Sequence, residues 1–528
     1  MRIRLKEDLI IAGAAMIFYL SLGGYLSLYR HYLPYDSLAR LVSAWLVFYG
    51  TEVKLASIGF VWPPLPTLAI LPFTISTWMV ESWFAVVAVS AVATALSCVA
   101  INHIAELCGF PAGWRWAVVF LFAVNPLIIA FGANGMSEAL LMLFLLAAFY
   151  WLTRFWQSER NTYLIISGGF FGLLPLVRYE FILITLWSGL ILVALCWKRR
   201  NSFSEAEFRE FLEGRLLAYG SLTIYPLFLW AVANWFIMGN PLYFLFNNRS
   251  AVSLAEMQLS SYVGLVVNTS FSFRLVFGVW ISLFFLGAIG SLAALIIGWR
   301  QKSFFLTYLA LMFWVIPTAQ FILLLQRANV PLLRYFVMSI PLGLVIAMVA
   351  AYRLLPVVSN YRRGTTLLFG AFIFLTLASN ALSLATLERY PYQDIERESW
   401  KGITTREPLD NRNFDQAYQI GQLLPSILPP GSRVLIDTYQ FGFGIMLGAK
   451  DHALFMDFTD PNYEEALKNP PAYVDYLILP RPEQRGALYS INIAHKKLYS
   501  EGASWAEWLD VLPTTDLGWK LYKVKRDE

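Results

Sequence analysis

Long apolar runs separated by short polar breaks fill the first 386 residues, and the breaks say more than the runs. A bilayer core of about 30 Å takes about 20 mostly apolar residues of helix. By that ruler, residues 9–29, 82–104, 114–132, 136–156, 162–177, 180–197, 216–237, 274–298, 303–325, 334–352 and 365–386 each predict a crossing, eleven in all. A further stretch, 63–80, opens Pro63-Pro64-Leu65-Pro66 and is broken by Pro72. It is either a twelfth crossing or a helix lying in or dipping into the outer interface. The run after Met1-Arg-Ile-Arg-Leu-Lys6 continues to Leu28 without a small-residue cleavage site, so an uncleaved first span is expected.

Orientation follows from where Lys and Arg collect, because positive loops stay cytoplasmic. With Arg2, Arg4 and Lys6 inside, an eleven-span count also puts inside Arg154 and Arg160, Lys198-Arg199-Arg200, Arg300 and Lys302, Arg353, and Arg362-Arg363. That agreement favours 63–80 as non-crossing. It leaves outside residues 30–62, the turn 133–136, the turn Arg178-Tyr179-Glu180, the loops 238–273 and 326–333, and everything after Leu387.

After Leu387 the pattern becomes that of a soluble domain of about 140 residues, a usual size. Arg433–Asp437 and Val474–Leu479 read as buried strands and Trp519–Val524 as an alternating edge strand. Asn413–Leu428 reads as a helix bent or ended at Pro425, with weaker helices at 463–468 and 504–510. The expectation is a transmembrane domain, 1–386, with a first outer loop at 30–62, followed by an extracytoplasmic α/β domain, 387–528. Asp437, Asp451, His452 and Asp457 in that domain read as solvated loop residues. In the first outer loop, Leu38, Leu41, Val42, Trp45, Leu46 and Tyr49 share one helical face, which predicts a helix within 38–59 lying in the interface plane.

Composition sharpens this picture. The 528 residues are 58% hydrophobic and only 14% charged, against about 25% charged in ordinary globular proteins, so the chain is a polytopic membrane protein. Its net charge of +5 is spread in short clusters between apolar runs, which reports topology and not nucleic-acid binding. Cys98, Cys108 and Cys196 lie in or near apolar segments without metal-ligand spacing, so neither a disulfide framework nor a zinc site is implied.

Charge near a span is expensive and points to function. Asp36 follows the first span in Arg30-His31-Tyr32-Leu33-Pro34-Tyr35-Asp36-Ser37; the alternative is a cap for a helix starting near Leu38. Glu138 opens a span, where a first-turn carboxylate also suits the helix dipole. Arg178 and Glu180 share a tight hairpin, as a ligand site or as an internal ion pair. Arg327 and Arg334 flank an outer loop, where the positive-inside rule disfavours arginine. They read as snorkelling anchors or as holders of an anion, and Arg suits phosphate. Carboxylates and arginines thus gather on one outer face, where an anionic lipid with a leaving phosphate would fit.

This layout resembles the GT-C superfamily of membrane glycosyltransferases, particularly the protein O-mannosyltransferase and lipid A aminoarabinose transferase branch. The matching motifs are Pro34-Tyr35-Asp36-Ser37 after the first span, Trp62-Pro63-Pro64-Leu65, Glu138 opening a later span, the hairpin Gly172-Leu173-Leu174-Pro175-Leu176-Val177-Arg178, and Arg334-Tyr335 before Pro341-Leu342. Two departures stand out: Ser37 follows Asp36 where many relatives have a second acid, and Trp62 replaces a basic residue before the Pro-Pro element.

The resemblance implies a GT-C-like fold and transfer of a sugar, with inversion, from a polyprenyl phosphate to a hydroxyl on a lipid, glycan or protein acceptor outside the membrane. Asp36 would be the base and Glu138 its orienting partner or a contact to the sugar or to a cation. Arg334, with Arg178 or Arg327, would hold the donor phosphate, while His31, Lys54, Glu180 and Tyr335 would be further substrate contacts. The resemblance makes no cofactor certain and a divalent metal possible. Membrane lipids are expected partners and nucleic acid is not. The setting would be a prokaryotic plasma membrane with the N-terminus cytoplasmic. The rival reading is a transporter of a lipid-linked or small anionic substrate, but such carriers favour internal repeats and charges at the bilayer midplane, and neither is evident here.

Overall fold

The computed structural model describes residues 2–525 apart from 51, 247–269, 326–331, 361–362, 390–394, 440 and 450. By its contacts the chain divides into two units: 1–26, 60–65 and 87–405 form the first, and 27–59, 66–86 and 406–528 the second.

The first unit is helical. Among the described residues, eight helices in the chain are continuous, long and apolar enough to cross a membrane, from Leu5–Tyr29 to Gly364–Glu388. The expected segment 114–132 is a bent pair, Ala112–Ala123 and Pro126–Ala133, meeting at 65°. The break has a local cause. Asn125 leaves helical geometry, its side chain accepts from Leu127 N and Ile128 N at 3.0 and 3.4 Å, and Pro126 starts the next helix without an N–H to satisfy. The other two expected segments are the shorter Asn161–Leu176 and the helix Ser270–Arg300, so all eleven segments fold as helices. Residues 63–80 break into Leu65–Ile70, Leu71–Ile75 and Thr77–Glu81, none long enough to cross.

Small residues let these helices approach. Gly168 and Gly172, one turn apart, lie against the helix Glu205–Met238, where an added Cβ would stand 2.6 Å from Tyr219 O and 2.5 Å from Thr223 O respectively. Gly287 and Gly343 meet similarly, a Cβ on Gly343 falling 2.7 Å from Gly287 Cα. Lipid tails are as apolar as leucine, so such close backbone packing is what holds helices together in a bilayer.

One end of the bundle collects the basic residues that the charge pattern assigns to a single side. Arg115 donates to both Glu7 carboxylate oxygens at 2.9 and 3.0 Å, His103 pairs with Asp8 at 3.1 Å, and Arg199 pairs with Glu159. Arg154 donates to Tyr163 at 3.0 Å, and Arg353 lies 4.2 Å from the centre of the Trp156 ring.

The second unit is built on a five-stranded sheet: β1 Val434–Leu435, β2 Phe455–Met456, β3 Tyr476–Leu479, β4 Ala506–Leu509 and β5 Lys520–Val524, in the order β2-β1-β3-β5-β4. β1 runs parallel to β2 and β3, and β5 antiparallel to β3 and β4. The three expected strands are present, and the helix Arg412–Ile427 covers the expected 413–428, with Pro425 in its last turn. The expected helix at 504–510 is instead β4. Its Ala506 is buried and Glu507 and Trp508 are both exposed, so burial does not alternate; the strand is fixed by full pairing to β5 and not by local pattern.

Residues 30–59 of the first outer loop belong to this unit. Its helix, Tyr35–Tyr49, is shorter than expected, and Leu38, Leu41, Val42, Trp45 and Leu46 are buried in protein. They pack against the helices Leu71–Ile75 and Gly442–Ala449. The apolar stripe is therefore a core face, which corrects the expectation of a helix lying in the membrane interface. Asp437 and Asp457 are corrected likewise: both are almost fully buried. Asp437 accepts from Tyr439 N and Ser490 N, and Asp457 from Thr459 N, so each ties down a loop backbone. Asp451 is exposed, as expected, and the side chain of His452 lies outside the described residues.

Replacing Gly172 with Ala should force the helices Asn161–Leu173 and Glu205–Met238 apart. The expected cost is about 1–3 kcal/mol, read as a fall in the thermal unfolding midpoint of purified protein, whereas Gly214→Ala, which meets nothing within 4 Å, should leave the midpoint in place.

Candidate active site

Four chain breaks bring charge to the other end of the first unit. The helix Glu138–Ser158 opens with Glu138. The apolar helix Asn161–Leu173 runs into a 3-10 turn at Pro175, and Arg178 follows in extended geometry before the turn Tyr179–Phe181. Arg334 and Tyr335 lie in a 3-10 turn, Leu333–Tyr335, ahead of the helix Ser339–Val358. Finally, the helix Ile395–Thr404 packs on Pro126–Ala133 and carries Glu396.

Arg178 is the centre of this cluster. Its Nη1 donates to Glu138 and its Nε to Glu180 at 2.6 Å. The Glu138 side chain is fully buried and that of Arg178 is 13% exposed. Burial alone would push the guanidinium's pKa down, but the Glu180 and Glu138 carboxylates reverse this and raise it above the ordinary arginine value. The guanidinium also lies 5.0 Å from the centre of the Tyr335 ring, and that of Arg334 lies 5.7 Å from the same ring. Two cations therefore share one aromatic ring and repel each other, a cost that the carboxylates offset.

Around this cluster the backbone is tied down by polar side chains. Asn134 bridges Met136 N and Ser399, at 3.1 Å each, and Ser90 accepts from Gly135 N at 3.2 Å, so the turn before Glu138 is fixed from two directions. The Ser399 contact also anchors the helix Ile395–Thr404, on which Glu396 is 2% exposed. Burial raises the Glu396 carboxyl to about 7; Arg334 opposes the shift and Glu138 adds to it.

Five of the residues singled out from the sequence thus come together: Glu138, Arg178, Glu180, Arg334 and Tyr335. Three others lie in the second unit. Asp36 is in the first turn of the helix Tyr35–Tyr49, behind its N-cap residue Pro34, and is partly exposed. His31 is exposed, with a φ of 48°, and its carbonyl accepts from Asn411 at 3.1 Å. Lys54 forms an ion pair with Asp460 in which both side chains are largely buried. Arg327 lies outside the described residues. Glu396 was missed because its helix is short and polar, and only the apolar spacing of Ile395, Trp400 and Ile403 marks a buried face. Among the described residues no three His, Cys, Asp or Glu side chains come together as metal ligands, and two carboxylates of the cluster are already engaged by Arg178.

Removing one partner of a buried ion pair leaves an uncompensated charge, at a cost of about 3–5 kcal/mol. Arg178→Met should therefore lower the unfolding midpoint strongly, and Arg178→Met combined with Glu138→Gln should recover part of the loss. A double variant no more stable than Arg178→Met would remove the pair from this role.

Residues 63–210 match the family model of dolichyl-phosphate-mannose-protein mannosyltransferases, a stretch that includes Glu138, Arg178 and Glu180. No curated protein matches the sequence. Among solved structures, ArnT from Cupriavidus metallidurans in the apo state aligns over 97% of both chains, at 12% identity and a TM-score of 0.51. The same protein bound to undecaprenyl phosphate aligns over 97% of both at 13% identity, with a TM-score of 0.50. The oligosaccharyltransferase AglB from Archaeoglobus fulgidus, in complex with an inhibitory peptide and a dolichol-phosphate, aligns over 99% of this chain and 74% of its own, at 12% identity and a TM-score of 0.47. The chain is thus a multi-pass membrane protein with the GT-C fold of ArnT, and over residues 63–210 its sequence is similar to the mannosyltransferase branch of that superfamily.

Proposed function

We propose that this protein is a membrane glycosyltransferase that moves a sugar, with inversion, from a polyprenyl-phosphate donor to a hydroxyl on a lipid, glycan or protein acceptor. The observation that carries this reading is the pair of guanidiniums, Arg178 and Arg334, on one aromatic ring at one end of a bundle whose residues 63–210 match a mannosyltransferase family. The undecaprenyl phosphate bound to ArnT, which shares the fold, supports the class of donor. The isoprenoid tail of such a donor is held in the bilayer, which accounts for the many apolar helices.

In this reading Asp36 removes the proton from the acceptor hydroxyl as its oxygen attacks the anomeric carbon. The bond from that carbon to the donor phosphate breaks, its electron pair leaves with the phosphate, and polyprenyl phosphate is released. Arg334 meets the charge that grows on the phosphate, while Arg178 is held by two carboxylates. Glu138 keeps Arg178 in place. The basic clusters at the opposite end, Arg154, Lys198–Arg200 and Lys302, support placing that end in the cytoplasm and the arginine–carboxylate cluster outside.

General-base removal of this kind contributes about 10²- to 10⁴-fold. Asp36→Asn should fold as the parent does and lose transfer from a polyprenyl-phosphate sugar by that factor in a radiolabel assay with purified protein. Turnover at the parental rate would take Asp36 out of the role. Arg334→Gln should slow transfer by about 10²-fold, the worth of one preorganised donor to a developing anion.

A further inference from the structure

Among the described residues of the cluster, carboxylates outnumber guanidiniums. Glu138 and Glu180 both engage Arg178. Glu396, on the helix Ile395–Thr404, interacts with the charge and the backbone N–H of Arg334 and with the charge of Glu138. With each of these described groups ionised the set carries more negative than positive charge, which weakens its attraction for an anion. The side chain best able to change this is Glu396, which is 2% exposed and whose Oε1 takes no hydrogen bond among the described residues. An ionised carboxylate buried in that way is costly, and protonation removes the cost.

We infer that Glu396 is neutral whenever an anion occupies the Arg334 side of the cluster, so that binding of the donor's phosphate takes up one proton. This rests on the reading that Arg334 holds that phosphate, and it adds a control by pH that the reading alone does not contain. An ionised Glu396 competes with the ligand for the Arg334 charge, and a neutral Glu396 does not.

Among the described residues, the following groups are able to disturb this titration. Glu138 opens the neighbouring helix, Arg178 and Tyr335 lie beside Arg334, and Glu180 is bonded to Arg178. The helix Pro126–Ala133, on which Ile395–Thr404 packs, has no ionisable residue. The helix Gly364–Arg389, which also touches it, ends in Glu388, exposed, and Arg389, whose side chain lies outside the described residues. On the Glu396 helix itself Arg397 is exposed, Glu398 and Lys401 are half-buried, and none of these has a pKa near neutrality in water.

Purified full-length protein in nanodiscs would be titrated with undecaprenyl-phosphoryl-mannose, a phosphodiester whose own charge is constant from about pH 6 to pH 8.5. Affinity should be flat below about pH 7 and fall about tenfold per pH unit above it, as single-proton linkage requires. Calorimetry in buffers of different ionisation enthalpy should register uptake of about one proton at the upper end of that range. Glu396→Gln should bind with the parent's low-pH affinity at every pH. A flat profile in the parent, or a sloping one in Glu396→Gln, overturns the inference. Arg334→Gln separates the two ideas. If it loses binding while the parent's profile is flat, the proton linkage fails and the phosphate site stands. If it binds as the parent does, the phosphate site itself fails and the linkage with it. The parent's pH profile needs no variant, so the test survives a Glu396→Gln protein that does not fold.

Discussion

A guanidinium cannot rest at the mouth of an apolar helix bundle without counter-charges, and the way Arg178 is neutralised shapes everything around it. Taking the ion out of water costs several kcal/mol. Two carboxylates from different positions in the chain repay that cost, Glu138 at the start of one helix and Glu180 just beyond the hairpin that carries Arg178 itself. Each position is constrained by the pairing. The turn before Glu138 is tied by Asn134 and Ser90, and the hairpin is set by Pro175 in a short 3-10 turn.

The remainder of the helical unit follows from a second requirement, that helices in lipid gain little from mutual apolar burial. Glycine contacts supply close packing instead: Gly168 and Gly172 against Glu205–Met238, and Gly287 against Gly343. Tight packing fixes the ends of the helices, and those ends position the ion pairs. Charge is thus sorted to the two ends, with Arg115, Arg154 and Arg199 at one and Arg178 and Arg334 at the other.

How far this was legible in the sequence depended on the range of the interactions. The eleven apolar segments could be read because membrane thickness acts locally on each run. The pairing of Arg178 with Glu180 was one of two readings open in the sequence because only Tyr179 stands between them, and the bond to Glu138 was not legible, since it joins residues forty positions apart. β4 was misread because Ala506–Leu509 takes its conformation from β5. The face of the helix Tyr35–Tyr49 was read correctly as apolar and wrongly placed. Periodicity tells that a stripe must be buried, but not whether lipid or the distant helix Gly442–Ala449 buries it. Glu396 lay beyond reach because its burial comes from the packing of a short polar helix on Pro126–Ala133.

The different surroundings of the two arginines argue for a division of labour. Arg178 has both faces of its charge engaged by carboxylates, and any ligand that displaced them would leave Glu138 ionised and buried, so it is suited to hold the site's shape and unsuited to release its partners during turnover. Arg334 faces a carboxyl whose own burial favours neutrality. In the proposed function, a guanidinium beside a group that gives up its charge at small cost can take on a phosphate and release it afterwards. Cyclic binding and release needs an interaction that is strong with the ligand and weak without it. Of the two sites on the Tyr335 ring, the one beside Glu396 has that property.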